Sequence, residues 1–133
     1  MIEKIVEKDN IYAIIIRNNY HSEGIEFFTP GTYSQQLGYM NRKKGYKIEP
    51  HIHIEAERII HFTEEVLVVK KGTVRVDFYN LDEAYFESSI LSEGDIILLA
   101  RGGHGFEILE DAEIFEIKQG PYMGDKDKRR FKK

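Results

Sequence analysis

The chain contains no cysteine, so it can hold no disulfide and no thiolate site. Histidine and carboxylate side chains are left as its only strong metal ligands. The same absence fits a reducing compartment. No apolar run approaches the roughly 20 residues that cross a bilayer, and the opening Met1-Ile2-Glu3-Lys4 lacks the basic-then-apolar order of a secretory leader. The expectation is a soluble, cytoplasmic protein with no membrane contact. The net charge of -4 argues against a nucleic-acid partner, because such proteins neutralise phosphates with a basic face. Lys126 to Lys133 is a local basic exception and reads as a solvated tail. Neither an amphipathic helix of useful length, a helix-turn-helix segment, an internal repeat nor a low-complexity tract is present.

What the chain does have is apolar alternation with period two, in short runs. Its 133 residues suit one core rather than two. Ile11 to Ile16 reads as a buried strand, Leu37 to Met40 opens a second, and Tyr46 to His53 a third. Val66 to Val69 follows, then a turn at Lys71-Gly72, then Thr73 to Tyr79, where Val74, Val76 and Phe78 alternate with Arg75 and Asp77. Turns at Asn80 to Glu83 and Ser92 to Asp95 bound the strands Tyr85 to Leu91 and Ile96 to Ala100. The loop Arg101 to Gly105 leads into Phe106 to Leu109, and a turn at Glu110-Asp111 into Ala112 to Lys118. Turn signals about every ten residues predict an all-β sandwich or barrel. The aromatics Phe78, Tyr79, Tyr85, Phe86, Phe106 and Phe115 read as barrel filling.

The chemistry concentrates at Gly45-Tyr46-Lys47-Ile48-Glu49-Pro50-His51-Ile52-His53. On a strand, residues i and i+2 share a face, so His51 and His53 would stand side by side as a metal ion requires. Glu65, Gly94 and His104, the last within Arg101-Gly102-Gly103-His104-Gly105, answer them downstream. On its own a His-x-His pair can also be two exposed strand side chains.

This arrangement resembles the cupin superfamily over residues 35–120. Gly45, His51 and His53 match the opening of the family's first motif, and Glu65 with Gly72 matches its close with six residues between them. Eleven residues separate His53 from Glu65, an interval much longer than the family's. Gly94, Asp95, Gly102 and His104 echo the second motif, with Ala100 in place of proline, the histidine one residue early and Ile108 in place of asparagine. Stretches such as Glu65 to Val69, Arg75 to Tyr79, Gly103 to Glu107 and Lys118 to Tyr122 are similar to small bacterial single-domain cupins found beside surface-polysaccharide and sialic-acid-type sugar biosynthesis. The resemblance implies a double-stranded β-helix, or jelly-roll barrel, with residues 1–34 as N-terminal strands packing on the barrel or a partner. Residues 121–133 would form the basic tail.

It also implies a divalent metal (Fe, Mn, Ni or Zn) held by His51, His53, Glu65 and His104. His61 offers a rival register, since three residues separate it from Glu65. It could displace His53 or join a site of four imidazoles. Glu55 and Glu57 read as solvated hairpin positions, His21 as a loop residue, and Gly102, Gly103 and Gly105 as tight-loop residues. The function implied is a metal-dependent enzyme on a small polar substrate, a sugar or carboxylate. The alternatives are a metal-independent nucleotide-sugar isomerase or epimerase in which a barrel histidine abstracts a proton, and a binding module without turnover. A homodimer is expected by analogy, because the edge strands of such barrels need cover.

Overall fold

The computed structural model describes residues 1–132; the last residue of the predicted basic tail, Lys133, lies outside them. Among the described residues eight strands form: β1 (Ile2–Glu7), β2 (Asn10–Ile16), β3 (Gly24–Phe27), β4 (Gly38–Asn41), β5 (Glu65–Tyr79), β6 (Tyr85–Leu91), β7 (Ile96–Leu99) and β8 (Gly103–Lys118). The one helical element among them is a single 3₁₀ turn, Gly124–Asp127. Six strands make an antiparallel sheet in the order β1-β2-β7-β5-β6, with β8 on the other edge of β5, and β3 and β4 pair separately. The predicted all-β class holds, and the main sheet curls into a half-barrel.

The curl has a local cause. β5 and β8 form one long ribbon, paired from Glu65 opposite Lys118 to Tyr79 opposite Gly103. Turns were expected at Lys71-Gly72 and Glu110-Asp111. Instead both stretches stay within continuous strands and face each other, where the register slips three times between Val69 and Val74. Such bulges bend a strand sharply. Gly72 sits there at φ +90°, and a Cβ on it would lie 2.2 Å from the Asp111 carbonyl oxygen. Only glycine combines that backbone with that approach. The ribbon therefore folds over. Glu65 and Phe78 are thirteen positions apart on β5, roughly 43 Å if straight, yet His104, the cross-strand partner of Phe78, touches Glu65.

Folding the ribbon creates the core. Leu67, Val69, Val76 and Phe78 from its two halves pack with Ile5, Tyr12, Ala13, Ile15, Leu91, Ile97 and Leu99. The outer face of the first half, Val66 with Leu98 and Ala100, is covered by Tyr33 and Leu37. β2 is buried on both faces from Tyr12 to Ile16, as its unbroken apolar run requires. At one end of the sheet Arg17 ties three elements together, meeting Glu3 at 2.6 Å, Asp95 at 3.1 Å and the Ile90 carbonyl at 2.6 Å.

Two expectations are corrected. Tyr46 to His53 is not a strand: residues 42–63 are all exposed and without ladder hydrogen bonds, because no neighbouring strand offers partners there. Of the aromatics assigned to the interior, Phe78 and Tyr79 are buried, whereas Tyr85, Phe106 and Phe115 are exposed. Phe106 and Phe115 belong to β8, which is covered by β5 on one edge only.

Gly72→Ala should destabilise the protein by about 2–5 kcal/mol in urea unfolding, adding backbone strain to a steric clash. Gly45→Ala is its control. At φ +91° with nothing within 4 Å of the added Cβ, it should cost only about 1–2 kcal/mol. Equal losses would refute the role of the corner contact.

Candidate functional site

The folded ribbon brings its two ends to one place. Residues directly opposite on antiparallel strands share a face, so Glu65, Glu116 and Lys118 lie on the inner face at one end, and His104, opposite Phe78, on the inner face at the other. His104 Nε2 stands 2.9 Å from Glu65 Oε1, with the two side chains 30% and 12% exposed. The hydrogen bond from His104 holds the Glu65 carboxyl below its ordinary range, against the opposing effect of burial. Glu116 hydrogen-bonds Glu65 from the neighbouring strand, and that carboxyl is pushed up, because two adjacent carboxylates favour sharing a proton. Lys118 Nζ closes the group at 4.0 Å from Glu116.

Of the four predicted ligands, Glu65 and His104 meet. His51 and His53 neighbour each other, with ring centroids 5.4 Å apart, but lie on the exposed 42–63 segment. The His51 ring is engaged locally, its Nδ1 2.8 Å from the Glu49 carbonyl oxygen. Among the described residues no group of three or more histidine and carboxylate side chains is arranged to hold a metal ion. The donor types suit a divalent ion, but the set stands in two halves.

The rival His61 lines a cavity of about 240 Å³ with Phe62, Thr63, Lys118, Tyr122 and Asp127, bordering the strand pair that carries Glu65. Thr63 donates to Asp127 at 2.7 Å across its rim. Asp95, an echo of the second motif, is occupied structurally: buried, it accepts the Asn18 and Ser92 amides at 2.8 Å each. Gly102, at φ +71°, packs where a Cβ would meet the Tyr79 carbonyl oxygen at 2.5 Å, so it sets the entry of His104 into β8. Glu107 lies toward Arg75 at 3.5 Å rather than toward His104.

Glu116 and Lys118 were missed in the sequence. Ala112 to Lys118 reads equally well with either parity inward, and the apolar choice puts Phe115 and Ile117 inside. The register instead places Phe115 opposite Val68 and Ile117 opposite Val66, on the outer face. The detectable signal was Glu116 and Lys118 sharing parity with Ile114, which lies opposite the core residue Val69.

Glu65 and Glu116 should titrate apart by carboxyl-detected NMR, Glu65 below and Glu116 above the ordinary 4.5. A lowered carboxylate contributes stability above its unfolded-state pKa that is lost as pH falls through the folded value. The stability gap between wild type and His104→Ala should therefore narrow as pH falls below 4.5. A gap that widens in acid would contradict the pairing. In comparisons with known proteins, no family model, no curated protein and no solved structure matches this chain.

Proposed function

We propose that the protein is a divalent-metal-binding cupin of the jelly-roll type, acting as an enzyme on a small polar substrate, a sugar or a carboxylate. The observation that carries this reading is the 2.9 Å contact of Glu65 with His104, two predicted ligands delivered to one spot by opposite ends of a ribbon. Their chemistry suits Fe, Mn, Ni or Zn equally. His51 and His53 supply the remaining imidazoles in this reading. A bound divalent ion would polarise a carbonyl or hydroxyl at the mouth of the half-barrel. The chain's own part is to hold the donors on strands, to keep Glu65 ionised through His104, and to leave one side open to a substrate.

A second reading is favoured by the Glu65–Glu116 hydrogen bond. A carboxyl whose pKa is raised beside one whose pKa is lowered, with an imidazole in contact, is a set suited to proton transfer without a metal. It would serve an isomerase or epimerase that moves a proton next to a carbonyl. In that case Glu116 is the acid, and His104 with Glu65 the base.

Elemental analysis of protein purified without a His-tag separates the two. The metal reading expects close to one equivalent of a divalent metal in wild type, and a loss of affinity of at least about tenfold in His51→Ala and His104→Ala. Wild type carrying no more metal than the double variant ends that reading. Retained turnover on keto-sugars in metal-free protein, lost in Glu116→Gln, would establish the other.

A further inference from the structure

At the end of the ribbon that carries Glu65, the segment before β5 and the segment after β8 enclose the cavity of about 240 Å³. Neither Glu65 nor His104 lines it, so what it holds does not rest on the metal reading. Its far wall, Gly120 to Gly124 with Asp127, is pinned to the sheet. Asp127 is tied to Thr63 by their 2.7 Å bond, and the chain beyond it is anchored twice more. Arg129 pairs with Glu83. The Phe131 ring stands edge-on to Tyr79 at 5.1 Å and against Gly103, where an added Cβ would lie 2.6 Å from that ring. Such a wall is in place before any ligand arrives, as in most small-molecule sites.

The lining divides by chemistry. Ile60, Phe62, Tyr122 and Met123 are 45% to 86% exposed and gather around one cavity, which leaves apolar surface for an occupant to cover. Two side-chain acceptors are already engaged: Gln119 Oε1 receives the Glu64 amide at 2.8 Å, and Asp127 Oδ1 the Thr63 hydroxyl. The free groups are donors. The side chains of His61 and Lys118 make no hydrogen bond among the described residues; Lys118 offers donors only, and His61 a ring N–H. The Lys118 side chain is 25% exposed, and its ammonium stands 4.0 Å from Glu116, at the outer limit of an ion pair. Glu116 compensates it poorly, because Glu65 pushes the Glu116 carboxyl up. A largely covered cation with so distant a partner is costly until an anion reaches it.

We propose that the cavity binds a small carboxylic acid with one apolar ring or a short apolar chain. Its carboxylate meets Lys118 and the His61 N–H, and its apolar body lies against Phe62, Tyr122 and Met123. Size excludes larger occupants: 240 Å³ falls below the roughly 300–1,000 Å³ of sites for drug-sized ligands, too little for a nucleotide sugar. A free monosaccharide fits less well than an acid. Its hydroxyls need acceptors as well as donors, and Gln119 Oε1 and Asp127 Oδ1 are taken.

Calorimetric titration of the full chain with benzoate, and with benzamide as its neutral counterpart, tests this on protein as purified and on protein stripped with EDTA. Amide NMR spectra locate the site. Benzoate should bind saturably and at least about tenfold more tightly than benzamide, the worth of a hydrogen bond to a charged group, before and after EDTA. The shifted amides should fall in 60–63 and 118–124. Lys118→Met, which keeps the stem and drops the charge, should abolish the preference while leaving benzamide binding unchanged, and Lys118→Arg should retain it. Equal affinity for the two probes, or a preference that survives Lys118→Met, overturns the proposal. Benzoate binding that EDTA abolishes also overturns it: the carboxylate then sits on a metal, which supports the metal reading instead. No saturable binding of benzoate ends the acid site and leaves the metal reading standing.

Discussion

The close approach of Gly72 to the Asp111 carbonyl is the constraint on which the molecule depends. A Cβ at 2.2 Å from that oxygen cannot be accommodated, so the bulged corner where β5 and β8 bend together requires glycine at this position. Bending the ribbon there opposes Leu67 and Val69 to Val76 and Phe78, and the core forms between the two halves. Without the corner, β5 and β8 would be a straight two-stranded ribbon with one apolar face in water, which is marginal at best.

The same bend makes the chemistry. Glu65 and His104 belong to different strands at opposite ends of the ribbon, and only the fold-over places them at 2.9 Å. Once Glu65 is ionised and hydrogen-bonded by His104, a second carboxyl beside it is disfavoured in its charged form, and Glu116 holds its proton to higher pH. The contact thus sets two carboxyls apart in acidity across one strand pair. The exposure of this cluster follows from β8 being an edge: the inner face of the half-barrel is lined but not closed.

Much of this was legible in residues. The alternation Val74, Val76, Phe78 marked one face of β5, the turns at Asn80 to Glu83 and Ser92 to Asp95 fall between strands as expected, and Glu65 and His104 were both named as ligands. The misreadings share a cause. Lys71-Gly72 and Glu110-Asp111 carry turn residues, but a bulge and a turn ask for the same backbone freedom, and only cross-strand pairing tells them apart. Tyr46 to His53 has the alternation of a strand, but alternation states a capacity for pairing and does not supply the partner. β3, at Gly24 to Phe27, was not marked out in the sequence.

The sequence by itself determined the class of fold, since period-two runs broken by frequent turns cannot bury their apolar faces as helices. It also limited strong metal donors to histidine and carboxylate, because it offers no thiol. Tertiary structure decided which donors meet. Glu65 joined His104 and Glu116, while His51 and His53 stayed on an exposed segment, because proximity across a curled sheet depends on register and on the corner at Gly72. Those are set by pairing between distant strands, which no local stretch of the chain encodes.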